Sequence, residues 1–177
     1  CEAATRWIAD NIPCTGLILS GDSAGGNLTV VTAMALRDAP ASKPVIAQYP
    51  IYPAVAADIT AWGSYSQFKE GFLLTEDSIN WFGDSYAADE SWRAAPLEGD
   101  VTDMPPCVVI TAGLDPLRDQ GRAYAAALIN AGVRCTYLEA PGTIHGFINL
   151  RKGLPTAQQD ITNGLNALKS LLDEIPA

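Results

Sequence analysis

The sequence predicts an α/β protein, a mainly parallel sheet covered by helices on both faces. Three observations carry that reading. Four short and nearly continuous apolar runs, at 17–19, 45–49, 107–111 and 133–138, have the character of strands buried on both faces. The stretches around them repeat apolar residues at spacings of three and four, the helical period. At 177 residues, with 48% apolar and 18% charged, the chain is long enough for one core.

Taken in order, the chain opens on a helical stretch through Thr5, Arg6, Trp7, Ile8, Ala9 and Asp10. The first apolar run, Leu17 to Leu19, leads through a small-residue turn into a helix-compatible stretch ending near Arg37. After the second run, residues 54–96 break the alternation, because a crossover needs little more than a helix of a dozen residues. This insertion contains Trp62, Trp81 and Trp92, and Thr75 is placed to cap a helix with Ile79, Phe82 and Tyr86 on one face. A long aromatic insertion predicts a lid or pocket wall, although packing of an ordinary loop and helix accounts equally for any one aromatic. After the third run, 119–131 carries Tyr124, Ala127, Leu128 and Ala131 at helical spacing, and Gly132 supplies a left-handed stop. After the fourth, Thr156 with Gln159 reads as a capping box before a face of Ile161, Leu165, Leu168 and Leu172.

Composition excludes several functions. A net charge of −9 repels nucleic acid and anionic membrane surfaces. No apolar stretch approaches the roughly 18 residues that a membrane span needs, so a water-soluble, cytoplasmic protein is expected. The cysteines, Cys1, Cys14, Cys107 and Cys135, form no Cys-x-x-Cys pair, and one histidine is too few to join them around a metal. They are expected to be free and to pack as small hydrophobes. No metal and no cofactor is implied.

The turn after the first strand reads Gly21-Asp22-Ser23-Ala24-Gly25, a Gly-x-Ser-x-Gly pattern between strand and helix. Such a turn strains the backbone at the serine, and small residues two places before and after it, Gly21 and Gly25, avoid collision. Ser23 would then present its hydroxyl above the sheet, with the Ala24 N–H and the helix N-terminus facing a developing oxyanion. A serine hydroxyl needs a base, and His145 is the single histidine. It follows the last strand, at the same carboxyl edge of a parallel sheet. For the carboxylate that orients the imidazole, Asp115 follows the third strand directly. Asp119 is the rival, but its place in the first turn of the next helix is explained by the helix dipole.

The order Ser23, Asp115, His145 is that of an α/β-hydrolase, unlike the chymotrypsin or subtilisin orders. Gly21-Asp22-Ser23-Ala24-Gly25-Gly26-Asn27-Leu28, Tyr49-Pro50-Ile51-Tyr52-Pro53, Gly113 to Asp119 and Ile144-His145-Gly146-Phe147 together resemble the hormone-sensitive lipase family, in its bacterial esterase branch. The resemblance runs from about Arg6 to Leu172 and implies a Ser23, Asp115, His145 triad that hydrolyses short-chain carboxylic esters through an acyl-enzyme. Trp81, Leu117, Ile144 and Phe147 are expected to line the pocket, with core packing as the alternative for each. The family's His-Gly-Gly-Gly oxyanion motif is not found in these residues. The chain is therefore expected to be the carboxyl-terminal part of one hydrolase domain, lacking a front piece on the order of 100 residues at roughly 30 residues per βαβ unit. Partners implied are a small-molecule ester and that missing amino-terminal part, with a homodimer left open. A non-catalytic hydrolase-fold binding module and a serine peptidase of related fold are the rival readings.

Overall fold

A computed structural model describes residues 1–86 and 91–175. Residues 87–90 of the predicted insertion lie outside the described part. Four parallel strands, β1 (Leu17–Asp22), β2 (Val45–Ile51), β3 (Cys107–Leu114) and β4 (Cys135–Ile144), lie side by side in sequence order. The helices are α1 (Glu2–Asn11), α2 (Ala24–Asp38), α3 (Gly63–Phe68), α4 (Glu76–Tyr86), α5 (Arg118–Asn130) and α6 (Ala157–Asp173). This is the α/β architecture expected, a parallel sheet between helical layers.

Alternation along the strands builds two cores. Ala47, Tyr49 and Ile51 of β2 join Val108, Ile110 and Ala112 of β3 beneath α6. On the other face, Cys107 and Val109 pack with Val30, Ala33 and Met34 of α2 and with Tyr124, Ala125 and Leu128 of α5. Gln48 points into that second core, where it accepts from the buried Tyr124 hydroxyl at 2.9 Å and donates to Pro105 O at 3.0 Å. Both of its amide ends are thereby satisfied.

Three details differ from the sequence expectation. β1 is not buried on both faces, since Ile18 is 43% exposed at the edge of the sheet. The capping box does not form: Thr156 is already near-helical at φ −97° and ψ −17° and makes no side-chain cap bond. Gln159 instead donates to Asn163 one turn on, at 2.9 Å. The buried stripe of α6 runs through Ala157, Gly164 and Leu171 and leaves Leu165 exposed. Gly164 explains the offset, because it lies against the Tyr49 ring where any side chain would collide. All four cysteines are free, and burial pushes the Cys107 thiol up.

Within the insertion, Thr75 Oγ1 accepts from Ser78 N at 3.3 Å and so caps α4. Three side chains pin the insertion to α2 and α5. Gln120 Oε1 accepts from Val55 N at 2.6 Å and Ala56 N at 2.9 Å, while Asn27 Nδ2 donates to Ala54 O at 2.9 Å. Asp119 Oδ2 accepts from Ser64 N at 2.8 Å, at the start of α3. Asp119 therefore does more than complement a helix dipole: it fastens α3 to α5. Among the described residues, no helix is long and apolar enough to cross a membrane.

Candidate active site

The ends of β1, β3 and β4 converge on one line of hydrogen bonds. Ser23 sits between the last residue of β1 and the first of α2, at φ 58° and ψ −117°. A positive φ is uncommon outside glycine and stores strain of about 1–3 kcal/mol. The turn is held by neighbouring backbone, with Ser23 N donating to Ile51 O at 2.9 Å and Asn27 N donating to Ser23 O at 3.1 Å.

The small residues that this turn requires are Gly21 and Gly26. A methyl group on Gly21 would run into the backbone of Gly25. On Gly26 it would lie 2.8 Å from Pro53 Cβ and 2.9 Å from Pro53 Cα, whereas on Gly25 it meets nothing within 4 Å among the described residues. Gly25 is thus not required for close approach, and the reading that made it so is corrected. α2 leans on the exit of β2 through Gly26.

His145 follows β4 immediately. Its Nε2 lies 2.8 Å from Ser23 Oγ and its Nδ1 2.7 Å from Asp115 Oδ2. Asp115, directly after β3, is fully buried, and its Oδ1 accepts from Leu117 N at 2.8 Å. His145 is brought to this position by an irregularity in β4. Gly113 of β3 comes so close to the Pro141 backbone that no side chain fits, and the β3–β4 register shifts between Ala112 and Leu114. Gly146, at φ 78°, then turns the chain away. At these distances a hydroxyl proton can pass to the imidazole while the carboxylate fixes the other ring nitrogen. Ala24 is exposed at the first position of α2, next to Ser23. Asp119 stays outside this line, bonded to Ser64, Arg118 and Arg122.

The four residues expected around the pocket are placed differently from one another. Phe147 is fully buried in the core, edge-on to Tyr52 at 5.3 Å, and offers no surface to a ligand. Leu117 is also buried, and its contribution is the N–H given to Asp115. For these two, core packing replaces the pocket reading, because the strand-end loops that carry them fold inward. Ile144 is half-buried at the end of β4, beside His145. Trp81 is 65% exposed on α4, packed edge-on against Phe82.

One neighbour of His145 was given no role from the sequence. Tyr52 lies against the imidazole with ring centroids 4.6 Å apart, and its hydroxyl donates to Asp22 Oδ2 at 3.1 Å. Burial, followed by the Asp22 charge, pushes the Tyr52 phenol well above its ordinary range. Among the described residues, no group of three or more His, Cys, Asp or Glu side chains is placed to hold a metal ion.

This fold, with a serine on a strained strand-to-helix turn, defines an α/β-hydrolase. Residues 1–149 match the family model described as alpha/beta hydrolase fold, and the chain belongs to that family, within its hormone-sensitive lipase-like esterases. It is 33% identical over 183 residues to the carboxylesterase NlhH of Mycobacterium tuberculosis, covering 96% of this chain and 57% of that protein. It is 31% identical to an arylesterase of Saccharolobus solfataricus, covering 95% of this chain and 56% of the relative. Among solved structures, an esterase of Pyrobaculum calidifontis superposes with a TM-score of 0.87 at 36% identity, covering 97% of this chain and 59% of the other. A thermostable esterase of Pseudomonas putida superposes at 0.85 and 32% identity, covering 92% and 55%. The chain thus spans little more than half the length of the proteins it matches.

Proposed function

We propose that this chain carries the nucleophile, base and acid of a carboxylic ester hydrolase acting on short acyl chains. The observation that carries the reading is the unbroken line Ser23 Oγ, His145 Nε2, His145 Nδ1, Asp115 Oδ2, at 2.8 and 2.7 Å, on a strained turn. The named relatives support it, being carboxylesterases and arylesterases. Ser23 Oγ attacks the ester carbonyl carbon while His145 Nε2 takes the hydroxyl proton. Asp115 fixes the tautomer and stabilises the imidazolium. The Ala24 N–H and the N-terminus of α2 face the oxyanion. Collapse of the tetrahedral species expels the alcohol, which takes its proton from Nε2. Water, deprotonated by the same nitrogen, attacks the acyl-Ser23 ester, and the acid leaves with Ser23 protonated again.

The insertion, residues 54–96, serves in this reading as a pocket wall, with Trp81 and Ile144 as the apolar side chains offered to substrate. Ala24 is the one oxyanion donor assigned to the described residues, and each donor removed from such a hole costs about 10²- to 10³-fold in turnover.

The test uses the complete protein and compares an aryl acetate with the matching anilide, and the parent with Ser23→Ala. Ester turnover without amide turnover is expected, together with a fluorophosphonate adduct at Ser23 found by mass spectrometry. The variant should fall below about a thousandth of the parent rate with unchanged circular dichroism, since triad knockouts cost on the order of a million-fold. A variant above that level would remove Ser23 from the role.

A further inference from the structure

His145 is held at one ring nitrogen by Asp115 and meets Ser23 at the other. Two bonds at opposite ends of an imidazole define an axis and leave the ring free to rock about it. Tyr52 stands against one face of that ring, at 4.6 Å between centroids and 54° between planes.

Tyr52 is itself strained, with φ 34°, a value rare for an aromatic residue. Such a conformation persists only where its surroundings over-determine it, and those places are commonly functional. Here the surroundings are explicit. Its backbone N–H donates to Ile110 O at 2.6 Å, and its side chain is 1% exposed, braced by Phe147. Its hydroxyl donates to Asp22 Oδ2 at 3.1 Å. Asn149 Nδ2 donates to the same Asp22 oxygen at 3.3 Å. Asp22, the residue preceding Ser23, therefore joins the Tyr52 hydroxyl to Asn149 in the loop that follows His145.

We propose that Tyr52 is a positioning residue for His145: its ring blocks rocking of the imidazole, and its hydroxyl locks the His145 loop to the Ser23 turn through Asp22. The inference rests on the reading of Ser23 and His145 as nucleophile and base. It assigns to Tyr52 no contact with substrate and no proton transfer. Its effect falls on the alignment of Nε2 with Oγ, and hence on kcat and not on KM.

The experiment uses the complete protein with Tyr52→Leu, which removes the ring plane and the hydroxyl, and Tyr52→Phe, which removes the hydroxyl alone. Kinetics are measured on an aryl acetate. The downfield proton signal of the His145 Nδ1–H is followed by NMR and assigned by its absence from a His145→Gln sample. For Tyr52→Leu, kcat should fall about a hundredfold, the scale of a misplacement of roughly 1 Å, with KM within twofold. Its Nδ1–H signal should broaden into exchange with water. Tyr52→Phe should recover most of this, remaining about three- to tenfold below the parent, the scale of one hydrogen bond. A folded variant of either kind that keeps kcat within twofold and a sharp signal overturns the proposal, as does a loss confined to KM. If Tyr52→Leu does not fold, Tyr52→Phe decides alone by the same two criteria. Failure of the esterase reading would look different: the parent chain would neither turn over ester nor be labelled at Ser23, while the NMR signal would still report whether Tyr52 holds the ring.

Discussion

Gly25 and Gly26 are adjacent in the first turn of α2, and the structure gives them opposite tolerance for a methyl group. In Gly26→Ala the new Cβ would lie 2.8 and 2.9 Å from Pro53 and 3.2 Å from Ile51 O. Ordinary contacts begin near 3.4 Å, so something must move by roughly half an ångström. The atoms in the way belong to a proline ring and to backbone, and they cannot rotate aside. Overpacking of this kind costs about 1–3 kcal/mol, against which the helix preference for Ala over Gly returns up to about 1 kcal/mol. The net expectation is a loss of about 1–2 kcal/mol, or a few degrees in Tm at about 2–4 °C per kcal/mol for a chain of this size. In Gly25→Ala only the propensity gain remains, so Tm should hold or rise by a few degrees.

The displacement in Gly26→Ala also reaches chemistry. Ser23 N donates to Ile51 O at 2.9 Å and Ala54 N donates to Ser23 O at 3.4 Å, so moving the β2 exit moves the serine. Ester turnover should fall about tenfold or more, since sub-ångström misplacement of a reacting group is costly. The assay is thermal and urea unfolding of the two variants beside the parent, with kcat on an aryl acetate. A Gly26→Ala chain as stable as the parent would refute the reasoning. So would a Gly25→Ala chain destabilised by more than about 1 kcal/mol, which would mean that another surface covers Gly25.

Asp115→Asn keeps the shape of a fully buried side chain but presents an amide to His145 Nδ1, favouring the wrong tautomer, and kcat should drop about 10⁴-fold while Tm changes little. For Asp119, burial works to raise the pKa, but the hydrogen bonds from Arg118 and from Ser64 N outweigh it and hold the carboxyl below its ordinary value. A depressed folded pKa contributes stability above the unfolded value of about 3.9 and loses it as pH falls through the lower folded value. Asp119→Asn should therefore be less stable than the parent by about 1–2 kcal/mol at pH 7, with the gap narrowing in urea titrations as pH falls below the unfolded value. Tyr124→Phe removes the hydroxyl that Gln48 Oε1 accepts inside a sealed core, and the unpaired acceptor should cost about 1–3 kcal/mol in urea unfolding with kcat unchanged.

Ser23, Asp115 and His145 could be picked out from the sequence because each side chain is defined by its chemistry and by its place just after an apolar run. In a parallel sheet, such places share one edge. Tyr52 could not, because a tyrosine before a proline reads as ordinary extended chain. Its role depends on a positive φ and on the pairing of β2 with both β1 and β3, neither of which a residue type announces. The same limit explains Gly25 and Gly26: the motif says that small residues are needed near the serine, but the colliding atoms belong to Pro53, just past the end of β2. It explains Phe147 as well, whose aromatic character near a histidine suggests a pocket, while the fold turns it into the core.

These misses share a location. Three consecutive residues at the exit of β2 each touch a different part of the site. The Ile51 carbonyl receives the Ser23 N–H, the Tyr52 ring lies on His145, and Pro53 fills the space that Gly26 leaves open. Asp115 is tied to the same structure, since Tyr52 N donates to Ile110 O in the strand that ends just before it. The strand next to the nucleophile therefore acts as the template on which serine, histidine and helix are set at fixed spacing. Rigid strands hold side chains more precisely than loops do, and three of the site's elements are loops or turns. Changes at 51–53 should consequently alter turnover more than their distance from the substrate suggests. Changes at Tyr86, the last residue of α4 and 58% exposed, should alter it little.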